Sequence, residues 1–135
     1  MEQPQFNQTE ENSYKKAPPH GSLQNDGLAF LNKAINAYKF WNETFRNLEK
    51  LARFSIGIRI DNLFLDFVEK SYFAIYASRF EKKKSIEDLS KSLDALKLNL
   101  KIAWEIKAID NKKYASISIP LMELGKIIGG WKKIF

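Results

Sequence analysis

The side chains best equipped to act on a ligand in this chain are cationic. Lysine and arginine number 22 against 16 aspartates and glutamates, leaving a formal net charge of +6 over 135 residues. That balance favours a polyanionic partner, nucleic acid or an anionic surface, and says nothing about fold. Nucleophilic and metal chemistry have little to draw on. The chain has no cysteine, so thiol catalysis, zinc fingers and iron–sulfur clusters are excluded, and a Ser-His-Asp triad has almost nothing to work with beyond the one histidine, His20. Asp61, Asp66, Glu69, Glu105 and Glu123 could pair for acid–base or metal work, but no histidine joins them and no clustering is evident. The expectation is a protein that is not an enzyme and holds no metal or cofactor.

The cations themselves fall into sets. Lys97 and Lys101 stand one helical turn apart, with Lys107 beyond them and Lys91 before them. Arg53 and Arg59 flank the start of a second helix, and Lys126, Lys132 and Lys133 lie on a last one. Lys82, Lys83 and Lys84 form a run expected in a loop or a frayed helix end. A single lysine is ordinarily a solvated residue. Together the set suits phosphate contacts, which weaken with salt and carry little sequence information. Trp104 or Tyr76 could stack bases beside these cations, although burial at a subunit contact is the commoner fate of such rings.

Apolar periodicity supplies the elements that position these charges. Leu28, Leu31, Ile35, Tyr38, Trp41, Phe45, Leu48 and Leu51 recur at three- and four-residue steps, one stripe of a first helix that Asn25 or Asp26 would cap. Ser55 would cap a second helix carrying Ile56, Ile60, Leu63, Phe64, Phe67, Val68, Tyr72, Ile75 and Tyr76. Ser85 and Asp88 form a capping-box pattern before a third seam of Ile86, Leu89, Leu93, Leu96, Leu100 and Ala103. A fourth series, Tyr114, Ile117, Leu121, Leu124, Ile128 and Trp131, contains Pro120. The period favours one long helix kinked at the proline; the Ser116-Ile117-Ser118-Ile119 alternation favours a start at Pro120. Four such helices predict an all-α, antiparallel up-down-up-down four-helix bundle over residues 28–135. The polar residues 1–27 would be a disordered or loosely ordered arm. The opening residues lack the apolar core of a signal peptide, and the most apolar stretch, 63–68, is broken by Asp66 and far short of a span of roughly 20 residues. A cytoplasmic protein without membrane contact is therefore expected.

Aromatic content exceeds the needs of a small core, with ten Phe, five Tyr and three Trp. Ile58, Leu65, Phe73 and Phe80 lie off the second seam, Phe30, Phe40 and Phe54 off the first, and Leu98, Ile102 and Trp104 off the third. Such an excess predicts either a thick core with scattered surface rings or a second apolar face buried in a homo-oligomer.

The segment Leu51-Ala-Arg-Phe-Ser-Ile-Gly-Ile-Arg-Ile60, the block Leu93-Asp-Ala-Leu-Lys97, Lys113-Tyr114 and the terminal Leu124-Gly-Lys-Ile-Ile-Gly-Gly-Trp131 together resemble a family of small four-helix bundles. That family includes the accessory variability determinant (Avd) of diversity-generating retroelements and proteins encoded in intervening sequences of bacterial 23S ribosomal RNA genes. The resemblance extends over roughly residues 28–133. It implies a homopentameric, barrel-like ring with a basic surface that associates with a reverse transcriptase and with template RNA or its cDNA during mutagenic retrohoming, without chemistry of its own. Members outside retroelements imply instead a ribosomal-RNA-associated or general RNA-binding bundle with no polymerase partner. As the basic residues on and beside the predicted helices, Arg53, Arg59, Lys97, Lys101, Lys107, Lys126, Lys132 and Lys133 are the ones expected to meet nucleic acid or the reverse transcriptase. Two departures stand out: Pro120 interrupts a helix the family keeps regular, and Leu51-Ala52 stands where the family often has Pro-Lys. Gly57 is expected to admit a close neighbour, and Gly125 with Gly129 a close helix crossing.

Overall fold

The computed structural model describes the backbone of residues 19–135 and side chains from Asp26 onward. Four helices make up the described residues, which contain no strand. Helix α1 is Pro19–Arg46. Helix α2 covers residues 50–75 in three parts: Lys50–Ala52, a π-helical turn Arg53–Gly57, and Ile58–Ile75. Helix α3 is Lys82–Glu105 and α4 is Asn111–Ile134. Each helix packs on its sequence neighbours and α4 closes back on α1, with no diagonal contact among the described residues. Gly27 lies against Ile75, Tyr38 bonds Asp61, and Gly57 lies against Phe45, so α1 and α2 run in opposite directions. The square of an antiparallel bundle follows.

The seams of α3 and α4 are the expected ones: Ile86, Leu89, Leu93, Leu96, Leu100 and Ala103 face Ile117, Leu121, Leu124, Ile128 and Trp131 in the core. In α1 the buried line is rotated from the expected stripe. Phe30, Ala34, Ala37 and Trp41 are buried while Leu28 is exposed, because alanines let α1 approach closely and larger side chains then cover its flanks. Phe30, expected off the seam, packs its ring 4.7 Å from that of Trp131 and joins α1 to α4. Each large side chain removed from water here contributes roughly 1.5–3 kcal/mol. Polar ties add register. Asp61 Oδ1 accepts from Tyr38 Oη at 2.9 Å and from Trp41 Nε1 at 3.2 Å, holding α1 to α2. Asp66 Oδ2 accepts from Ser92 Oγ at 3.2 Å and Lys70 Nζ at 2.8 Å, holding α2 to α3.

The helix starts differ from those expected. α1 begins at Pro19, so Asn25 and Asp26 lie inside it and part of the expected arm is helical; residues 1–18 lie outside the described residues. Ser55 does not cap α2. It sits inside the π turn, and its hydroxyl donates back to the Leu51 carbonyl at 2.8 Å. Gly57 is crowded: an added Cβ would come within 3.0 Å of the Ala52 carbonyl oxygen and 3.1 Å of both Leu48 and Phe45, the close approach anticipated there. α4 runs unbroken through Pro120, which removes the late-start alternative; its true cap is Asp110, whose carboxylate accepts from the Lys113 amide at 2.8 Å.

The largest revision concerns the 82–84 run, which is the first turn of α3 and not a loop. Ser85 and Asp88 form no capping box, and Asp88 instead pairs with Lys84 at 2.9 Å. Lys82 is only 2% exposed. Its ammonium donates to the Ala74 carbonyl at 3.0 Å and the Ile75 carbonyl at 2.8 Å, supplying a cation to the carbonyl end of α2. Burial pushes this ammonium below the ordinary lysine value of 10.5. The folded chain therefore sheds the proton before the unfolded chain does, and in that alkaline window the unfolded state holds more protons. Stability carried by Lys82 rises with pH from its lowered value up to 10.5, and the cost of burying the charge is felt below it. Lys82→Met will lower unfolding stability by about 2–3 kcal/mol, read by urea denaturation at neutral pH, because two buried carbonyls lose their donor. The gap from wild type will widen as the pH is raised to about 10.

Candidate nucleic-acid interface

The outer seam between α3 and α4 gathers charge into a groove. On α3, Ser90, Asp94, Lys97, Lys101 and Trp104 recur at four- and three-residue steps and so share one face. On α4, Tyr114, Ser118, Met122, Gly125, Gly129 and Lys132 do the same. Two adjoining depressions of about 480 and 330 Å³ run along this seam, sharing Ser90, Asp94 and Lys132. Their lining holds five lysines, Lys83, Lys91, Lys97, Lys126 and Lys132, against Glu87 and Asp94, so the groove is net cationic. From Lys83 to Trp104 the face measures about 32 Å at 1.5 Å per residue.

Glycines shape its floor. A Cβ on Gly125 would meet Leu93 at 3.4 Å, while Gly129 and Gly130 face open space within 4 Å. Gly125 thus serves the expected crossing, but Gly129 does not: its missing side chain leaves the trough open.

Of the eight expected contact residues, the groove brings together Lys97, Lys126 and Lys132, with Lys101 one turn beyond Lys97. Lys101 reaches Glu105 at 3.8 Å, a surface pair of little energetic weight. The other four lie elsewhere. Lys133 is exposed on α4 outside the groove lining. Arg53 donates to the Arg46 carbonyl at 3.4 Å and stands 5.4 Å over the Phe54 ring at the far end of α2. Arg59 is exposed on α2; the carboxylates open to it by sequence, Asp61 and Asp66, serve Tyr38, Trp41, Lys70 and Ser92. Lys83 and Lys91 line the groove but were not among the expected eight; for Lys83 the reason is that a lysine run hides which member faces which helix.

The carboxylates are dispersed. Glu123 pairs with Lys33 at 2.7 Å between α4 and α1, and among the described residues no three His, Cys, Asp or Glu side chains are grouped to hold a metal. Asp61 works structurally, and burial first, then the bond to Asp61, raises the Tyr38 phenol above 10.0. No helix among the described residues is long and apolar enough to cross a membrane.

A second surface is apolar. Ile58, Leu65 and Tyr72 are exposed at seven-residue intervals along α2, with Phe73, Leu51 and Phe54 beside or beyond them. Leu98 and Ile102 are exposed on α3, and Phe80, in the turn before it, is fully solvent-exposed at 100%. These are largely the residues that stood off the predicted seams.

Fold and surface together define an all-helical four-helix bundle with a cationic inter-helix groove and a separate exposed apolar stripe. The chain matches no family model, no curated protein and no solved structure.

Lys107 has a local role in the corner that joins these groove helices. Its φ is +65°, the only positive value at a non-glycine residue among those described. Its amide donates to the Trp104 carbonyl at 3.0 Å and that of Ala108 to the Ala103 carbonyl at 2.8 Å, a Schellman closure with lysine where glycine is favoured. Lys107→Gly will raise stability by about 1 kcal/mol in a thermal melt, because it removes the left-handed penalty.

Proposed function

We propose that this chain is a non-catalytic nucleic-acid-binding bundle that acts as a homo-oligomer in support of a reverse transcriptase, as an accessory protein of a diversity-generating retroelement. The observation that carries nucleic-acid binding is the α3–α4 groove with its five lysines and open glycine floor. Lysine ammonium groups on both walls can meet phosphate oxygens without reading base edges, so binding is sequence-blind and salt-sensitive. The sequence resemblance supports the reverse transcriptase as partner and template RNA or cDNA as ligand. The exposed stripe of Ile58, Leu65, Tyr72 and Phe73 supports self-association, since apolar side chains at a seven-residue repeat gain most by packing against another copy. A reverse transcriptase gene beside template and variable repeats in the same genome is the observation that would separate the retroelement role from general RNA binding.

Two measurements test this. Light scattering during size exclusion should give a mass of about 79 kDa, five copies of 15.7 kDa, and a monomer would refute both the ring and the role of the stripe. The double substitution Lys97→Glu and Lys126→Glu should weaken binding to RNA and DNA by at least tenfold and flatten the dependence of log affinity on log salt by about two units. Unchanged affinity and slope would move the interface off the groove.

A further inference from the structure

We propose that the α3–α4 groove is selective for single-stranded nucleic acid, with the Trp104–Tyr114 pair, about two turns beyond the lining residue Lys97 on the same face of α3, serving as a stacking platform for an unpaired base. The inference rests on the groove being the nucleic-acid surface and adds what that surface selects. Trp104 and Tyr114 lie with ring centroids 4.7 Å apart and planes 5° from parallel. Both are partly exposed while packing against the core, so the rings are fixed in place yet within reach of a ligand. The indole is held further by donation from its Nε1 to Asn111 Oδ1 at 2.7 Å. Trp104 stands three and seven residues after Lys101 and Lys97 on the same face of α3, so a strand whose phosphates follow the lysines is led to the rings. A duplex keeps its base faces stacked inside; only an unpaired base can lay its π-face on an aromatic ring, and that contact is indifferent to base identity. The platform therefore turns a groove that lysines alone would leave blind to strandedness into one that prefers single strands.

The protein contains three tryptophans, and Trp41 and Trp131 are buried, so intrinsic fluorescence reports ligand contact at Trp104. The test titrates the full chain with oligo-dT, oligo-U and a mixed duplex, each about 12 units long. Either single strand should quench emission saturably and bind roughly tenfold tighter than the duplex, and the stronger quencher of the two identifies RNA or DNA as the ligand. Trp104→Leu should lose about that tenfold for the single strands and leave duplex affinity unchanged. Equal affinity for strands and duplex without quenching, or an equal loss for both in Trp104→Leu, overturns the platform. The wild-type quench needs no substitution, so it decides the matter even where the variant disturbs the α3–α4 corner. Should strands and duplex bind alike but lose affinity together in the Lys97→Glu, Lys126→Glu protein, the groove stands and only the platform falls. Absence of nucleic-acid binding by the wild type overturns both.

Discussion

Much of this bundle is set by one buried cation. The α2–α3 turn brings the carbonyl end of α2 into the interior, where carbonyls without donors carry a desolvation cost. The Lys82 ammonium meets two of them, at Ala74 and Ile75, from the first turn of the next helix. That contact fixes where α3 begins relative to where α2 stops. Once it is made, Ser92 arrives at Asp66, Leu93 arrives at Gly125, and the face carrying Lys97 is turned toward α4. A register slip of one residue would rotate α3 by 100° and carry the groove lysines off the seam. The groove is thus downstream of a structural lysine that contributes nothing to its lining.

How much of this could be read beforehand depends on what each position competes with. The α3 and α4 cores were legible because leucine and isoleucine recur there at unbroken three- and four-residue steps, a phase that outweighs strays such as Leu98, Ile102 and Ile119. α1 misled because two apolar phases coexist: Leu28, Leu31 and Ile35 make the heavier stripe, but Phe30 with Ala34 and Ala37 lets the backbones approach more closely. Side-chain size argues for one phase and interhelical distance for the other, and only the tertiary contact decides. The start of α2 was hidden for a related reason. Ser55 has the chemistry of a cap, yet its hydroxyl is equally able to return to a carbonyl one turn back, and it does. For the site, the stripe of Lys97 and Lys101 was visible as helical spacing, while the division of the 82–84 run into a buried, a groove-lining and an ion-paired lysine was not. Three identical side chains in succession carry no signal of which helix each will face.

The surface divides its labour by helix. α3 and α4 enclose the cationic groove, while α2 presents the longest exposed apolar stripe. This division matters energetically. Apolar association removes surface from water and is little affected by salt, whereas phosphate contact releases counterions and is strongly affected. In the proposed assembly, keeping the main apolar stripe on α2 and the groove between α3 and α4 would let the oligomer persist at ionic strengths where its ligand has left. The same proposed arrangement keeps the lysines out of the interface, where their burial without partners would cost more than the contact returns.

In the proposed role, the groove of a single copy would be a weak binder on these terms. Five lysines are offset by Glu87 and Asp94 on the same lining, and Lys101 shares its charge with Glu105. A handful of phosphate contacts yields affinities near 10⁻⁴–10⁻⁶ M at physiological salt. Repetition changes that. In the proposed oligomer each copy adds an equivalent groove at fixed separation, and a strand already held by one is presented to the next at an effective concentration set by geometry instead of by diffusion. Gains of 10²–10⁴ follow without any new contact. In that proposed assembly the apolar stripe and the cationic groove would be parts of one device: the first would supply the repetition that makes the second, individually modest, sufficient to hold a nucleic acid.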